Sequence, residues 1–254
     1  MSFFDHLDEL RARLIRALIV FFFGFIACYF VSDPIMGVLR QPLFDAMPPD
    51  QQKLYFTSLF ENFLTHLKIS GYSSIFFLSP YFFYEIWGFI SPGLYERERK
   101  MAVPFILAAT VFFLGGAIFA YYVLFPVGFK YFVTYGSVTD VPMLTIDAYY
   151  SLVLKLLLLF GIAFELPVMV VLLGYIGVVD APFLREHRRT AIMIITLLSA
   201  LFAPPDAVSM LVLGIPLCLM YEGAIWVVQW LGVRRPPPVE TDPEPSNPLQ
   251  GKSR

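Results

Sequence analysis

MAVPFILAATVFFLGGAIFAYYVLFPVGF, residues 101–129, contains no charged side chain. A bilayer span needs about 20 mostly apolar residues, and this run supplies more than one span's worth. Its apolar residues do not alternate with polar ones, so a spanning β-strand is excluded and a helix is left. The rest of the chain agrees. Of its 254 residues 58% are hydrophobic, 17% aromatic and only 15% charged, with 27 Phe. A water-soluble domain carries about 25% charged residues, and a disordered chain lacks this hydrophobicity. The composition therefore predicts an all-α, polytopic membrane protein.

Working outward from 101–125, five further apolar runs fall at 14–31, 69–90, 149–176, 190–202 and 208–231. Six spans form a single membrane domain over 1–233. The tail 234–254 holds six prolines and mixed charge and is expected to be disordered. Six spans put both termini on one side, and that side collects thirteen of the 18 Lys and Arg. The excess of cations predicts cytoplasmic termini. The fifth and sixth runs, separated by Ala203-Pro204-Pro205-Asp206, read as a tight helical hairpin.

Between the runs, Ser2-Phe3-Phe4-Asp5 resembles a capping box, with Phe3, Leu7, Leu10 and Leu14 on one face of the helix that follows. This predicts an interfacial amphipathic helix leading into the first span, where it would meet membrane lipid. The connection 32–68 is too long to be structureless. Pro34, Pro42, Pro48 and Pro49 are expected to break its first half. Ser58-Leu59-Phe60-Glu61 offers a second cap, before an amphipathic external helix that runs into the second span.

No hydrolase, Walker or dinucleotide motif occurs, and no basic stripe suits nucleic acid. His6, His66 and His187 lie in separate segments, and Cys28 and Cys218 sit alone in apolar runs, so neither a metal site nor a disulfide is expected. Intramembrane acids are costly and need a reason. Glu165, in Phe164-Glu165-Leu166-Pro167, lies midway along the fourth run beside a proline that predicts a kink. It is read either as a functional acid at a wet concavity or as a structural, paired or protonated acid. Glu222 lies within the sixth run. Glu85 lies near a cytoplasmic boundary, where it either snorkels or serves a site. Glu9 and Glu98 stand among cations, as a solvated mixed-charge surface or as paired carboxylates for a cationic partner.

An ordered set of motifs resembles one family, TatC, the multispan receptor subunit of the twin-arginine protein translocase. The set begins with His6-Leu7-Asp8-Glu9-Leu10-Arg11-Ala12-Arg13-Leu14. It continues with Ser79-Pro80, Tyr84-Glu85-Ile86-Trp87 and Pro92-Gly93-Leu94-Tyr95-Glu96-Arg97-Glu98-Arg99. Phe164-Glu165-Leu166-Pro167 and Pro204-Pro205-Asp206 complete it. The resemblance covers roughly residues 3–232. It implies six helices in a cupped, non-channel arrangement in the bacterial inner membrane. It implies recognition of twin-arginine signal peptides by Glu9 and Glu98 with their neighbours Arg11 and Arg99, and an intramembrane functional acid at Glu165. Glu85, Asp206 and Glu222 are further candidates. Glu85 stands where many relatives carry Gln, and Ala203 and Met210 where many carry polar groups that seat partners. The implied partners are TatA-like and TatB-like single-span proteins, with several copies per complex. Folded cargo would cross on the protonmotive force, with no cofactor and no enzymatic step. The competing reading is an ion-coupled small-molecule transporter using Glu165.

Overall fold

The computed structural model describes residues 3–91, 102–135, 143–202 and 207–230. Among these every regular element is a helix, with one isolated parallel bridge between Tyr55 and Thr145. The helices are α1 (Phe3–Phe30), α2 (Ser32–Ala46), α3 (Glu61–Phe77), α4 (Ser79–Ile90), α5 (Ala102–Phe119) and α6 (Phe125–Tyr135). They continue with α7 (Ile146–Ala163), α8 (Glu165–Tyr175), α9 (Ala181–Glu186), α10 (Arg188–Phe202) and α11 (Ala207–Trp230). Four stretches, 4–30, 102–133, 146–175 and 209–230, are long and apolar enough to cross a membrane. The charge-free run runs from α5 through a π-turn at Ala120–Leu124 into α6, just before Pro126.

The interior is built around α7. Tyr150, Val153, Leu154 and Phe160 are fully buried there. On one side α7 meets α5, and the approach is set by glycine. A Cβ on Gly116 would overlap the Phe160 carbonyl, and one on Gly161 would overlap the ring of Phe113. On the other side α7 packs on α3. The face of α3 toward α1 is of small polar residues, with Ser70 and Ser74 fully buried. The Ser74 hydroxyl donates to the Phe21 carbonyl of α1 at 3.3 Å. Small residues admit close backbone approach where no water drives helices together. The packing order α1–α3–α7–α5–α8–α11–α10 does not close, since α1 and α10 share no substantial contact among the described residues. Phe22, Phe23 and Phe30 of α1 are mostly exposed, as a face toward lipid tails requires.

Two of the four prolines expected to break the 32–68 connection do not. Pro34 stands in the first turn of α2, where a missing N–H is harmless. Pro42 stands inside α2 and leaves the Val38 carbonyl, four residues back, without its helical donor. The hydroxyl of Tyr121 fills that place, donating to Val38 O at 2.9 Å. Tyr149 and Tyr150 donate likewise to the carbonyls of Leu39 and Met36, at 2.7 and 3.0 Å. Three tyrosines from two distant segments thus moor α2. Only Pro48 and Pro49 leave the helix, at a short 3₁₀ turn. At the start of α4, Pro80 has no N–H to give the Phe76 carbonyl, and Ser79 Oγ donates to it at 2.8 Å.

Of the Ser58–Glu61 cap expected from the sequence, the contact from the Ser58 N–H to the Glu61 carboxylate is present, but the helix starts later. Helix α3 begins at Glu61 rather than at Ser58, with no side-chain cap from Phe60. The Glu61 carboxylate accepts from the Asp147 N–H at 2.9 Å with one oxygen. The other accepts from Thr57 N–H at 2.6 Å, Thr57 Oγ1 at 2.9 Å and Ser58 N–H at 3.3 Å. The backbone donors of Asp147 and Thr57 hold this acid down at about 2. Lys68 of α3 adds an ion pair to Asp147 and a hydrogen bond to Ser151 at 2.9 Å. Together these contacts clasp the connection before α3 to the start of α7.

Candidate functional site

Positions 9, 13 and 16 lie on one face of α1, four and three residues apart. Positions 81 and 85 lie one turn apart on α4, and α1 packs against α4 along these faces. The result is one charge cluster. Arg13 directs Nε and Nη2 to Glu9 Oε1, at 3.0 and 2.7 Å. Its Nη1 donates to Glu85 Oε2 at 3.1 Å. Arg16 Nη2 donates to the same Glu85 oxygen at 3.3 Å, and Tyr81 OH donates to Glu85 Oε1 at 2.9 Å.

Neighbouring packing makes room for these contacts. Trp87, 4% exposed, packs on Phe105 of α5 with ring centroids 4.9 Å apart, fixing α4. His6 stacks on Phe89 at 4.3 Å, fixing the start of α1. Gly88, on the turn after Glu85, leaves the slot for the Arg13 guanidinium, because a Cβ there would overlap it. The cluster holds two carboxylates and two guanidinium groups, so it is neutral in itself. The side chain of Glu85 is 8% exposed, those of Arg13 and Glu9 19% and 24%. Charges this sheltered interact more strongly than surface pairs.

Glu85 therefore does not snorkel to water. It is buried because two arginines of α1 and a tyrosine hydroxyl satisfy it. Glu9 joins the cluster, while Arg11, two residues away, is exposed on another side of α1. Arg13, Arg16 and Tyr81 were not among the residues singled out from sequence. Their signals were the spacings Glu9–Arg13 and Tyr81–Glu85, each one helical turn. Glu98, Arg99 and Asp206 lie outside the described residues.

Glu165 opens α8, immediately after the break at Phe164. Pro167 sits in the first turn of α8, where it costs no hydrogen bond. The break thus falls three residues before the proline that predicts it. A helix N-terminus favours a carboxylate. Even so, Glu165 Oε1 is buried with no hydrogen-bond partner among the described residues. A groove opens at Pro167, two residues on, and its lining does not include Glu165. It holds about 610 Å³ between α5, α8 and α11, and its lining, including Phe105, Pro167, Val168 and Met220, is apolar. Glu222 is not a lone intramembrane acid. It accepts from Arg188 Nη2 of α10 at 2.6 Å. Between α10 and α11 lies a second groove of about 310 Å³, lined in part by Thr196, Ser199, Met210 and Glu222. Ser199 Oγ is buried there with no hydrogen-bond partner among the described residues.

Residues 5–216 match the family model of the Sec-independent protein translocase protein TatC. The chain belongs to the TatC family. The TatC of Desulforapulum autotrophicum is 36% identical over 251 residues, 99% of this chain and 93% of that protein. The TatC of Magnetococcus marinus is 39% identical over 222 residues, 87% of this chain and 82% of that protein. The crystal structure of the twin-arginine translocase receptor TatC superposes with a TM-score of 0.76 at 33% identity, covering 89% of this chain and 99% of that one. A second TatC structure, in the detergent DDM, gives 0.77 at 33% identity, covering 87% and 98%. The chain is thus a multi-pass membrane component of the Tat protein translocase. TatC is a transport family rather than an enzyme family, and these relatives do not favour an ion-coupled small-molecule transporter.

Proposed function

We propose that this TatC chain is the signal-peptide receptor of its translocase, with six spans, cytoplasmic termini and a site in the inner membrane. The face bearing Glu9 then lies toward the cytoplasm, where Glu9 and Glu98 receive the paired arginines of an export signal and Arg11 and Arg99 flank them. The unclosed packing order of the helices suits a cup rather than a channel. The groove between α10 and α11, with Thr196 and Ser199 at its wall, suits a single-span TatA-like or TatB-like helix. Glu165 acts later, as a polar contact for a partner or an inserted signal segment.

The observation that carries this reading is the state of Glu9. It already binds a guanidinium group through two N–H donors, at 2.7 and 3.0 Å, at a partly open position. A site that holds one arginine in this way has the chemistry to hold another. The test is capture of a twin-arginine peptide by the purified protein in detergent, with no ion gradient. Glu98→Ala is expected to weaken binding about 10-fold, from the loss of one charge-assisted contact. Twin-lysine peptides are expected to bind less well, because Lys has no planar fork. Equal affinity of the wild type and the Glu9/Glu98 double alanine variant would overturn the assignment.

A further inference from the structure

The most informative feature of the α1–α4 cluster is that the carboxylate proposed to read an arginine already holds one. Arg13 gives two of its nitrogens to Glu9 Oε1 and its third to Glu85 Oε2. We infer that Arg13 is an internal competitor for Glu9, which yields that carboxylate to a peptide arginine and withdraws onto Glu85. This inference rests on the reading of Glu9 as a signal-peptide contact and adds the residue that sets its affinity threshold.

Three observations support it. First, the exchange needs no new structure, because Nη1 already lies 3.1 Å from Glu85. A turn about the terminal torsions of one side chain releases Glu9 while that contact persists. Glu85 can take the load, since a carboxylate offers about four acceptor sites and here receives three described donors. Second, Arg13 is seated rather than loosely placed. Its guanidinium fills the slot left by Gly88, where a Cβ would overlap it, and its side chain is only 19% exposed. Third, the resting cluster is neutral, with Glu9 and Glu85 against Arg13 and Arg16. An arriving cation meets no net attraction from these four groups and gains Glu9 only by replacing Arg13. A second guanidinium restores both N–H contacts. A lysine ammonium is a point charge that cannot reproduce the planar fork. Competition of this kind lowers the affinity of every ligand by the same factor, so weak ligands no longer fill the site at concentrations where strong ones do.

The competitor and a mere brace between α1 and α4 predict opposite signs. The measurement is the affinity of the full-length protein in detergent for labelled twin-arginine and twin-lysine peptides. Arg13→Gln is expected to tighten twin-arginine binding about 5-fold or more, the equivalent of one screened ion pair. It should tighten twin-lysine binding by about the same factor, because displacing Arg13 costs either peptide the same free energy. Arg13→Lys keeps the charge without the fork and should shift both affinities in the same direction by less. In a Glu9→Gln background, Arg13→Gln should change binding less than about 2-fold, since the competition runs through Glu9. Unchanged or weaker twin-arginine binding by folded Arg13 variants, while Glu9→Gln alone weakens it, overturns the competitor and leaves the reading of Glu9 intact. Unchanged binding by Glu9→Gln removes both. Loss of fold in both Arg13 variants assigns Arg13 to bracing and also overturns the inference.

Discussion

A carboxyl group within a membrane-spanning stretch stays only where something offsets its burial. Glu165 and Glu222 solve this differently. Glu222 has Arg188 at 2.6 Å, near one end of α10. Glu165 has the N-terminus of α8 and, on one oxygen, no hydrogen-bonding group among the described residues. In the proposed function that oxygen is assigned to a partner or an inserted signal segment. Glu165→Gln keeps the size and removes the charge. It is expected to leave folding and twin-arginine peptide binding within about 2-fold of wild type while lowering folded-cargo export about 10-fold. Peptide affinity, partner crosslinking and export of a folded reporter, measured side by side, check this. Normal export would show the charge to be dispensable, and lost expression would make the residue purely structural. From sequence, Glu165 could be singled out because a charge in an apolar run is visible without neighbours. The arginine partners of Glu85 could not, since Arg13 stands 72 residues before it and only the crossing of α1 over α4 joins them.

At the scale of elements, the sequence was most reliable where a pattern is local. The rod of α5 and the break before Pro167 follow from periodicity, charge and proline, while the expected cap at Ser2 lies outside the described residues. It failed at α2, because proline propensity is a local rule and its remedy here is remote. Tyr121 supplies the donor that Pro42 cannot, from a segment about 80 residues away. The Asp147 half of the clasp around Glu61 was equally invisible, since it forms only once α3 and α7 have packed, whereas its Ser58 half is the second cap that the sequence offers. Its consequence is measurable. Glu61 is held at about 2, below its ordinary 4.5, so its charged form favours the folded state. Its contribution is present above pH 4.5 and fades as the pH falls toward 2. Thermal unfolding in detergent is expected to show Glu61→Gln less stable than wild type at pH 7, with the gap closing between pH 4.5 and 2. A gap that stays constant over that range would mean the clasp does not depend on the carboxylate's charge.

For the whole molecule, the proposal makes a statement about sides. Four stretches are long and apolar enough to cross a membrane, and the orientation rests on the placement of Lys and Arg. With Cys28 and Cys218 replaced, a cysteine at Asp50 is expected to react with an impermeant thiol reagent in intact cells. One at Ser246 is expected to react only after lysis. Reversed labelling would contradict six spans with cytoplasmic termini. The membrane setting itself was legible from composition alone, and the family from an ordered set of short motifs. Neither source could have shown that the arginine holding Glu9 also holds Glu85, which is a fact of three side chains from two helices. The most direct test of the account is therefore where the arginines of a signal land. A twin-arginine peptide carrying a photoreactive group beside the arginine pair is to be bound to the full-length protein, irradiated, and its adducts mapped by mass spectrometry. The account predicts adducts on α1 around Glu9 and on α4 between Tyr81 and Ser91, lost when the arginines are changed to lysine. Adducts confined to the α10–α11 groove, or insensitive to the arginines, would contradict it.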